Sequence, residues 1–230
     1  MILVGQYDSP YVRRVAVSLR VLEFEYEHDT RSVFADFDAM RAINPLSRIP
    51  SLVLDDGEVL IDSAAILDWL DQSVGPERAL LPPAGVERQR ALRLIALATG
   101  AIDKVGAAAY ERLIRPAALR WPEWVLRCRT QGAGAIAALA AEPWSPGKTF
   151  DQAEITTACM LRYVTMADPE VLPPGRHPTL EALSARCEAL PEFEATWPAG
   201  YGRSEDVASQ SRRIAGVSAQ RAGHCWRREC

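Results

Sequence analysis

Apolar positions punctuate the first 75 residues in a regular way. Ile2, Leu3 and Val4, with Gly5, form a short apolar run that reads as a buried strand. Pro10 then opens a stretch in which Val12, Val15, Ala16, Leu19 and Leu22 fall at helical spacing, with Arg13, Arg14 and Arg20 off that stripe. Phe24 to His28 alternates and predicts a second strand. A less regular segment from Val33 to Ile43 reads as a helix, broken by Asn44-Pro45-Leu46. Pro50 precedes a third strand over 51–54, Asp56-Gly57 is a hairpin turn signal, and Glu58 to Ile61 is the returning strand. Ser63 starts a helix in which Ile66, Leu67 and Leu70 share a face. The predicted order is β-α-β-α-β-β-α.

The pattern then changes character. Residues 75–85, GPERALLPPAG, hold three prolines and two glycines and read as a linker. Beyond them only helical periodicity remains. One long helix is predicted over Glu87 to Arg115, stopped at Pro116, and another over Pro122 to Glu142, weakened by Gly132 and Gly134. A loop follows over Pro143 to Lys148. Asp151 and Glu154 then have the spacing of a capping box, with Phe150 and Ile155 at the staple positions. That helix is expected to run to about Ala167, and Thr179 to Leu190 is the last clear one. The chain is thus expected to divide into an α/β unit over 1–75, a linker over 76–86, an all-α unit over 87–198 and a tail over 199–230. The tail lacks an amphipathic stripe and reads as disordered; an arginine-rich interaction arm is the alternative.

Composition narrows the partners. A formal net charge of −4 argues against nucleic acid. No run of about 18 apolar residues exists, so no membrane span is expected. The opening apolar run ends at Gln6, too short for a signal-peptide core. Five scattered cysteines in an odd count read as reduced thiols of a cytoplasmic protein. The three histidines lack metal-ligand spacing, so no metal is expected.

Three spots could carry chemistry, and each has a plain reading beside the functional one. Ser9-Pro10 is a good helix start, a capping Ser followed by Pro. The same geometry lets a hydroxyl and the positive end of a helix stabilise a bound thiolate, with Arg13 one turn further in as a source of field or a mere surface charge. Ile49-Pro50 is an ordinary strand start; if the bond is cis, the Ile49 backbone is presented to an extended peptide ligand. Asp62-Ser63 is again a helix cap, or a receptor for the carboxylate and ammonium of an amino-acid end.

Taken in this order, the segments resemble the cytosolic glutathione transferase superfamily. SPYVRRV at 9–15 is similar to its active-site segment, NPLSRIPSLVL at 44–54 to its cis-proline segment, and DSAAILDWL at 62–70 to its γ-glutamyl-binding segment. TFDQAEI at 149–155 is similar to the family's capping box, and RLIRPAALRW at 112–121 resembles bacterial members of the Ser type. The resemblance implies a thioredoxin-like N-terminal domain, an all-α second domain, glutathione as co-substrate and a homodimer. It implies that Ser9 hydrogen-bonds the glutathione sulfur, that Ile49 pairs with the cysteinyl backbone beside a structural cis-Pro50, that Asp62 and Ser63 hold the γ-glutamyl end, and that Arg48 meets the glycyl carboxylate. Ser47 stands where Gly is frequent, and Asp62 is shorter by one methylene than the usual Glu or Gln. The expected reaction is conjugation of glutathione to a small hydrophobic electrophile held between the domains, with Tyr7, Tyr11, Arg112 and Arg115 as candidate pocket residues. Glutathione-dependent isomerisation or peroxidation, and a non-catalytic binding role, are the alternatives. A thiol–disulfide exchange enzyme is disfavoured, because position 9 is Ser and the first cysteine is Cys128.

Overall fold

The computed structural model describes residues 1–144 and 150–198. The predicted tail and part of the 143–148 loop lie outside the described residues. Strands β1 (Ile2–Val4), β2 (Glu27–Asp29), β3 (Ser51–Val53) and β4 (Val59–Ile61) form one sheet in the order β2-β1-β3-β4. β1 and β2 are parallel; β3 is antiparallel to both β1 and β4. Helices α1 (Pro10–Val21), α2 (Phe37–Ile43) and α3 (Ser63–Val74) complete the thioredoxin-like arrangement.

The remainder is helical: α4 (Gly85–Leu113), a turn of 3-10 helix (Ala117–Leu119), α5 (Pro122–Ala140), α6 (Gln152–Ala167), α7 (Pro178–Glu188) and the short α8 (Pro191–Glu194). The capping box is present: Asp151 Oδ1 accepts from the Glu154 N–H at 2.9 Å, and Glu154 Oε2 accepts from the Asp151 N–H at 3.4 Å. Gly132, read as a weak point of α5, has a packing reason. A Cβ there would lie 3.0 Å from Val105 Cγ2, so its absence lets α5 lie close on α4.

Several boundaries differ from the sequence expectation for local reasons. Phe24 does not start a strand: its N–H donates to Leu19 O in the turn that ends α1, after Glu23 at φ 62, and β2 begins only where Glu27 pairs with Ile2. α2 starts at Phe37, because Ser32 and Asp36 close a turn in front of it. The 76–86 segment is docked, with the Leu80 and Leu81 N–H groups donating to the Asp71 carboxylate and Leu80 O accepting from Gln152 N–H. α4 begins inside that segment, at Gly85.

The largest correction concerns α1. Arg13 and Arg14 lie off the apolar stripe, yet they are 1% and 2% exposed. α1 is enclosed by β1, α3, α6 and α8, so both guanidinium groups must find partners inside the protein. Arg13 forms a bidentate pair with Glu188 at 2.7 and 2.5 Å and also donates to the carbonyls of Phe193 and Thr196. It therefore clamps the end of the helical part to α1.

Candidate functional site

Three segments leave the sheet at one edge, and the strand register makes this so. Val4 pairs with Ser51, and Ser51 pairs with Ile61. The loop carrying Ser9 follows Val4, Ile49-Pro50 precedes Ser51, and Asp62-Ser63 follows Ile61. All three spots singled out in the sequence therefore emerge side by side. Gly5 is where two of them touch. Its φ is 129, and a Cβ there would lie 2.6 Å from Val12 Cγ2 and 2.8 Å from Ile49 Cβ, so only glycine lets the loop close on Ile49.

Ser9 is the N-cap of α1. Its Oγ accepts from the Val12 N–H at 3.4 Å, a long contact, with Pro10 as the first helical residue. The cap occupies a lone pair and leaves the hydroxyl proton to be donated. The Ile49-Pro50 bond is cis. The chain before it is braced by Asn44, whose Nδ2 donates to Arg48 O at 3.0 Å and whose Oδ1 accepts from the Leu46 N–H at 2.9 Å. Arg48 itself is exposed. Ser47 has φ 48, the left-handed conformation that Gly adopts freely, and its buried Oγ has no partner.

Asp62 caps α3, Oδ1 accepting from the Ala64 N–H at 2.9 Å. Its backbone at φ 70, ψ 133 is strained for a residue other than Gly, a feature that clusters at ligand sites. Ser63 is buried, and its Oγ accepts from Arg14 Nη2 at 2.9 Å. Arg14 reaches Thr156 Oγ1 at 3.4 Å, lies 5.9 Å from the Tyr11 ring centre, and has a buried Nε without a partner. Burial lowers its pKa, and the Tyr11 and Asp62 charges oppose that. A helix N-terminus, a hydroxyl and a buried cation behind it suit a carboxylate.

Facing this edge is one side of α4. Tyr11 OH donates to Asp103 Oδ1 at 2.5 Å and to Thr99 O at 3.2 Å. Tyr110, two helical turns beyond Asp103, meets Phe34 at 6.0 Å between ring centres with the ring planes nearly perpendicular. The Tyr110 phenol is held above its ordinary range by partial burial, then by the Asp8 charge, with Arg48 opposing. Burial pushes the Asp8 carboxyl up, while the N–H groups of Ser9 and Asp8 itself pull it back. Tyr11 is raised too, by burial and then by its bond to Asp103.

The four residues expected to line a second-substrate pocket do not come together. Tyr11 stands beside Ser9. Tyr7 turns toward β2, stacked on His28 at 3.9 Å with its OH 2.9 Å from that of Tyr26. Arg112 lies on the opposite face of α4 from Asp103 and donates to Ala167 O at 2.9 Å, within 3.2 Å of Asp168. Arg115 is held by Glu111 at 2.7 Å. Arg14, Asp8, Asp103 and Tyr110 were not singled out in the sequence. The seven-residue spacing of Asp103 and Tyr110 placed them on one face, but nothing in the sequence said what that face meets. Among the described residues no group of His, Cys, Asp or Glu gathers as a metal site, and no helix is long and apolar enough to cross a membrane.

Comparison with known proteins bears on the fold and the family. The glutathione S-transferase N-terminal domain family matches residues 3–78. A solved glutathione transferase family member from Pseudomonas fluorescens with bound glutathione is 36% identical, covers 86% of this chain and 98% of its own, and superposes with a TM-score of 0.77. A glutathione S-transferase from Methylobacterium radiotolerans in complex with glutathione sulfonate is 31% identical over 86% of this chain and 94% of its own, with a TM-score of 0.79. A probable maleylacetoacetate isomerase of Drosophila melanogaster is 26% identical over 86% of this chain and 81% of its own. With the likeness extending through both the sheet and the helices, this chain belongs to the glutathione transferase family.

Proposed function

We propose that this chain is a Ser-type glutathione transferase that conjugates glutathione to a small hydrophobic electrophile. One observation carries the reading: the row Val4–Ser51–Ile61 brings a hydroxyl at a helix start, a cis-proline strand start and a strained carboxylate–hydroxyl pair to one edge. Glutathione has a thiol, a peptide backbone and an amino-acid end, and these three features match them in kind. In this reading Ser9 donates to the sulfur, Ile49 pairs with the cysteinyl backbone, Asp62 and Ser63 take the γ-glutamyl ammonium and carboxylate with Arg14 behind them, and Arg48 reaches the glycyl carboxylate. Two solved relatives hold glutathione or its sulfonate, which supports the same ligand here.

A free thiol ionises near pH 8.5, so only a few per cent is thiolate at neutral pH. Lowering that value by about two units corresponds to roughly 2.7 kcal/mol of preference for the charged form. A hydroxyl donor and a helix N-terminus both act in that direction. The thiolate then attacks an electrophilic carbon; the S–C bond forms and the leaving group departs with the bonding pair. The same thiolate adding reversibly to a double bond would isomerise it, a second reading favoured by relatives named maleylacetoacetate isomerase. We place the protein in the cytoplasm as a homodimer, with residues 76–86 separating its two domains. Calorimetric titration with glutathione tests the ligand: the wild type binds and Ser63→Ala binds about tenfold more weakly, whereas a wild type that takes up no glutathione contradicts the reading.

A further inference from the structure

We propose that His28 is a positioning residue for the thiolate: it fixes the peptide plane that aims Ser9 at the glutathione sulfur. The proposal rests on the reading of Ser9 as the partner of that sulfur.

The connection from β1 to α1 is stiff on both sides of one soft joint. Ile2–Val4 is held in the sheet by β2 and β3. Gln6 to Ser9 is a closed turn, with the Ser9 N–H donating to Gln6 O at 3.1 Å, and Ser9 then caps α1. Gly5 lies between them at φ 129, a conformation that glycine adopts far more readily than other residues. The same freedom leaves glycine poorly able to hold one conformation, so its neighbours must hold it. The end of β2 does so twice. The Gly5 N–H donates to Asp29 O at 2.8 Å, and Gly5 O lies 2.7 Å from His28 Nε2. A carbonyl oxygen only accepts, so Nε2 carries the proton and donates it.

The two bonds act on different peptide planes. The Gly5 N–H belongs to the plane that follows Val4 and continues the sheet. Gly5 O belongs to the plane that leads into Gln6, so the group that holds this oxygen sets the direction in which the turn to Ser9 departs. His28, itself half-buried, meets that turn a second time. Its ring stacks on Tyr7 at 3.9 Å with the planes 10° apart, and the Tyr7 hydroxyl lies 2.9 Å from that of Tyr26. Gly5 in turn abuts Ile49 and Val12, the residue whose N–H the Ser9 hydroxyl caps. Swinging the Gly5 carbonyl would move the Ser9 hydroxyl relative to Ile49, and these are the two groups assigned to the cysteinyl part of glutathione. A misplacement of about 1 Å can cost about a hundredfold in rate. His28 thus acts through Gly5 and Tyr7 rather than on the sulfur itself.

The test uses the full chain with glutathione and chlorodinitrobenzene. His28→Phe keeps a ring for Tyr7 and loses the donor, while His28→Gln keeps an N–H of similar reach. His28→Phe should lose about tenfold in kcat/KM at neutral pH, with its pH profile moved up toward the free thiol, and His28→Gln should keep most of the wild-type rate. In a Ser9→Ala background the same His28→Phe change should cost less than about twofold, because its effect passes through Ser9. A merely structural role would lower the melting temperature and move neither the profile nor this coupling. An unmoved profile in His28→Phe, an equal loss in His28→Gln, or an undiminished loss in the Ser9→Ala background overturns the proposal, and the Ser9 reading stands if Ser9→Ala alone moves the profile. A Ser9→Ala variant with unchanged rate and profile overturns both. The wild type supplies a check that needs no variant to fold. Ring-nitrogen NMR shifts of isotope-labelled histidine should show His28 with its proton on Nε2, and a His28 whose only ring proton is on Nδ1 overturns the proposal.

Discussion

Arg14 stands directly behind Ser63, its Nη2 donating to the Ser63 hydroxyl at 2.9 Å, and both side chains are buried. The acceptors it holds are two hydroxyls, of Ser63 and Thr156, while Asp62 acts on it only through space. A buried guanidinium held by neutral oxygens is poorly compensated for the fold alone, and well placed to oppose a carboxylate arriving at Ser63. Replacing a buried charge by an apolar group of similar size is often close to neutral for stability. Arg14→Met is therefore expected to change unfolding free energy in urea by less than about 1–2 kcal/mol, yet to raise KM for glutathione about tenfold.

Arg13 behaves oppositely. Its bidentate pair with Glu188 joins α1 to the last turn of α7, with two carbonyls completing the shell. Removing one member leaves the other charge buried, which costs about 3–5 kcal/mol. Glu188→Gln keeps the shape and loses the charge, so a loss toward the lower end of that range is expected. The double variant Arg13→Met/Glu188→Gln should recover part of it. Urea unfolding of the wild type and the two variants checks this through their midpoints.

Ser47 holds a left-handed backbone with an unpartnered buried hydroxyl. Ser47→Gly removes both burdens, set against the extra freedom of Gly in the unfolded chain. The expected net is a gain of about 0.5–1 kcal/mol, seen as a melting temperature higher by about 1–4 °C.

Asp8 supplies a pH signature. Its folded pKa is raised, so the folded state holds more protons than the unfolded state as pH climbs past the unfolded value near 3.9. Stability then falls with rising pH across that window, and the penalty is full above the folded pKa. Asp8→Asn is expected to be more stable than the wild type at neutral pH, with the difference vanishing toward pH 3. Urea midpoints at the two pH values check the sign.

The fold was legible where apolar spacing and caps coincide. Val12, Val15 and Leu19 set α1, Asp151 and Glu154 set the start of α6, and Pro10, Pro116 and Pro122 mark ends of helical segments. Ser9, Ile49 and Ser63 were legible as caps and a strand start, and the strand register then gave them a common place. What sequence could not carry was the third dimension of α1. A stripe of aliphatics suggests one buried face, but α1 is enclosed, so Arg13 and Arg14 are interior. Tyr7 is close to Ser9 in the chain, while its ring stacks on His28 and its hydroxyl meets that of Tyr26. Arg112 is near Tyr110 in sequence but points about half a helical turn away. Phe34 and Tyr110 meet across 75 intervening positions, a contact that only the packing of the two parts reveals.

The most direct measurement is the pH dependence of kcat/KM for conjugation of glutathione to chlorodinitrobenzene by wild type and Ser9→Ala. The wild type should follow an ionisation well below that of the free thiol near 8.5. Ser9→Ala should lose about tenfold or more at neutral pH, with its profile moved up toward the free thiol and glutathione binding retained. Equal rates and an unmoved profile in Ser9→Ala would contradict the assignment of Ser9 to the thiolate and leave it a helix cap.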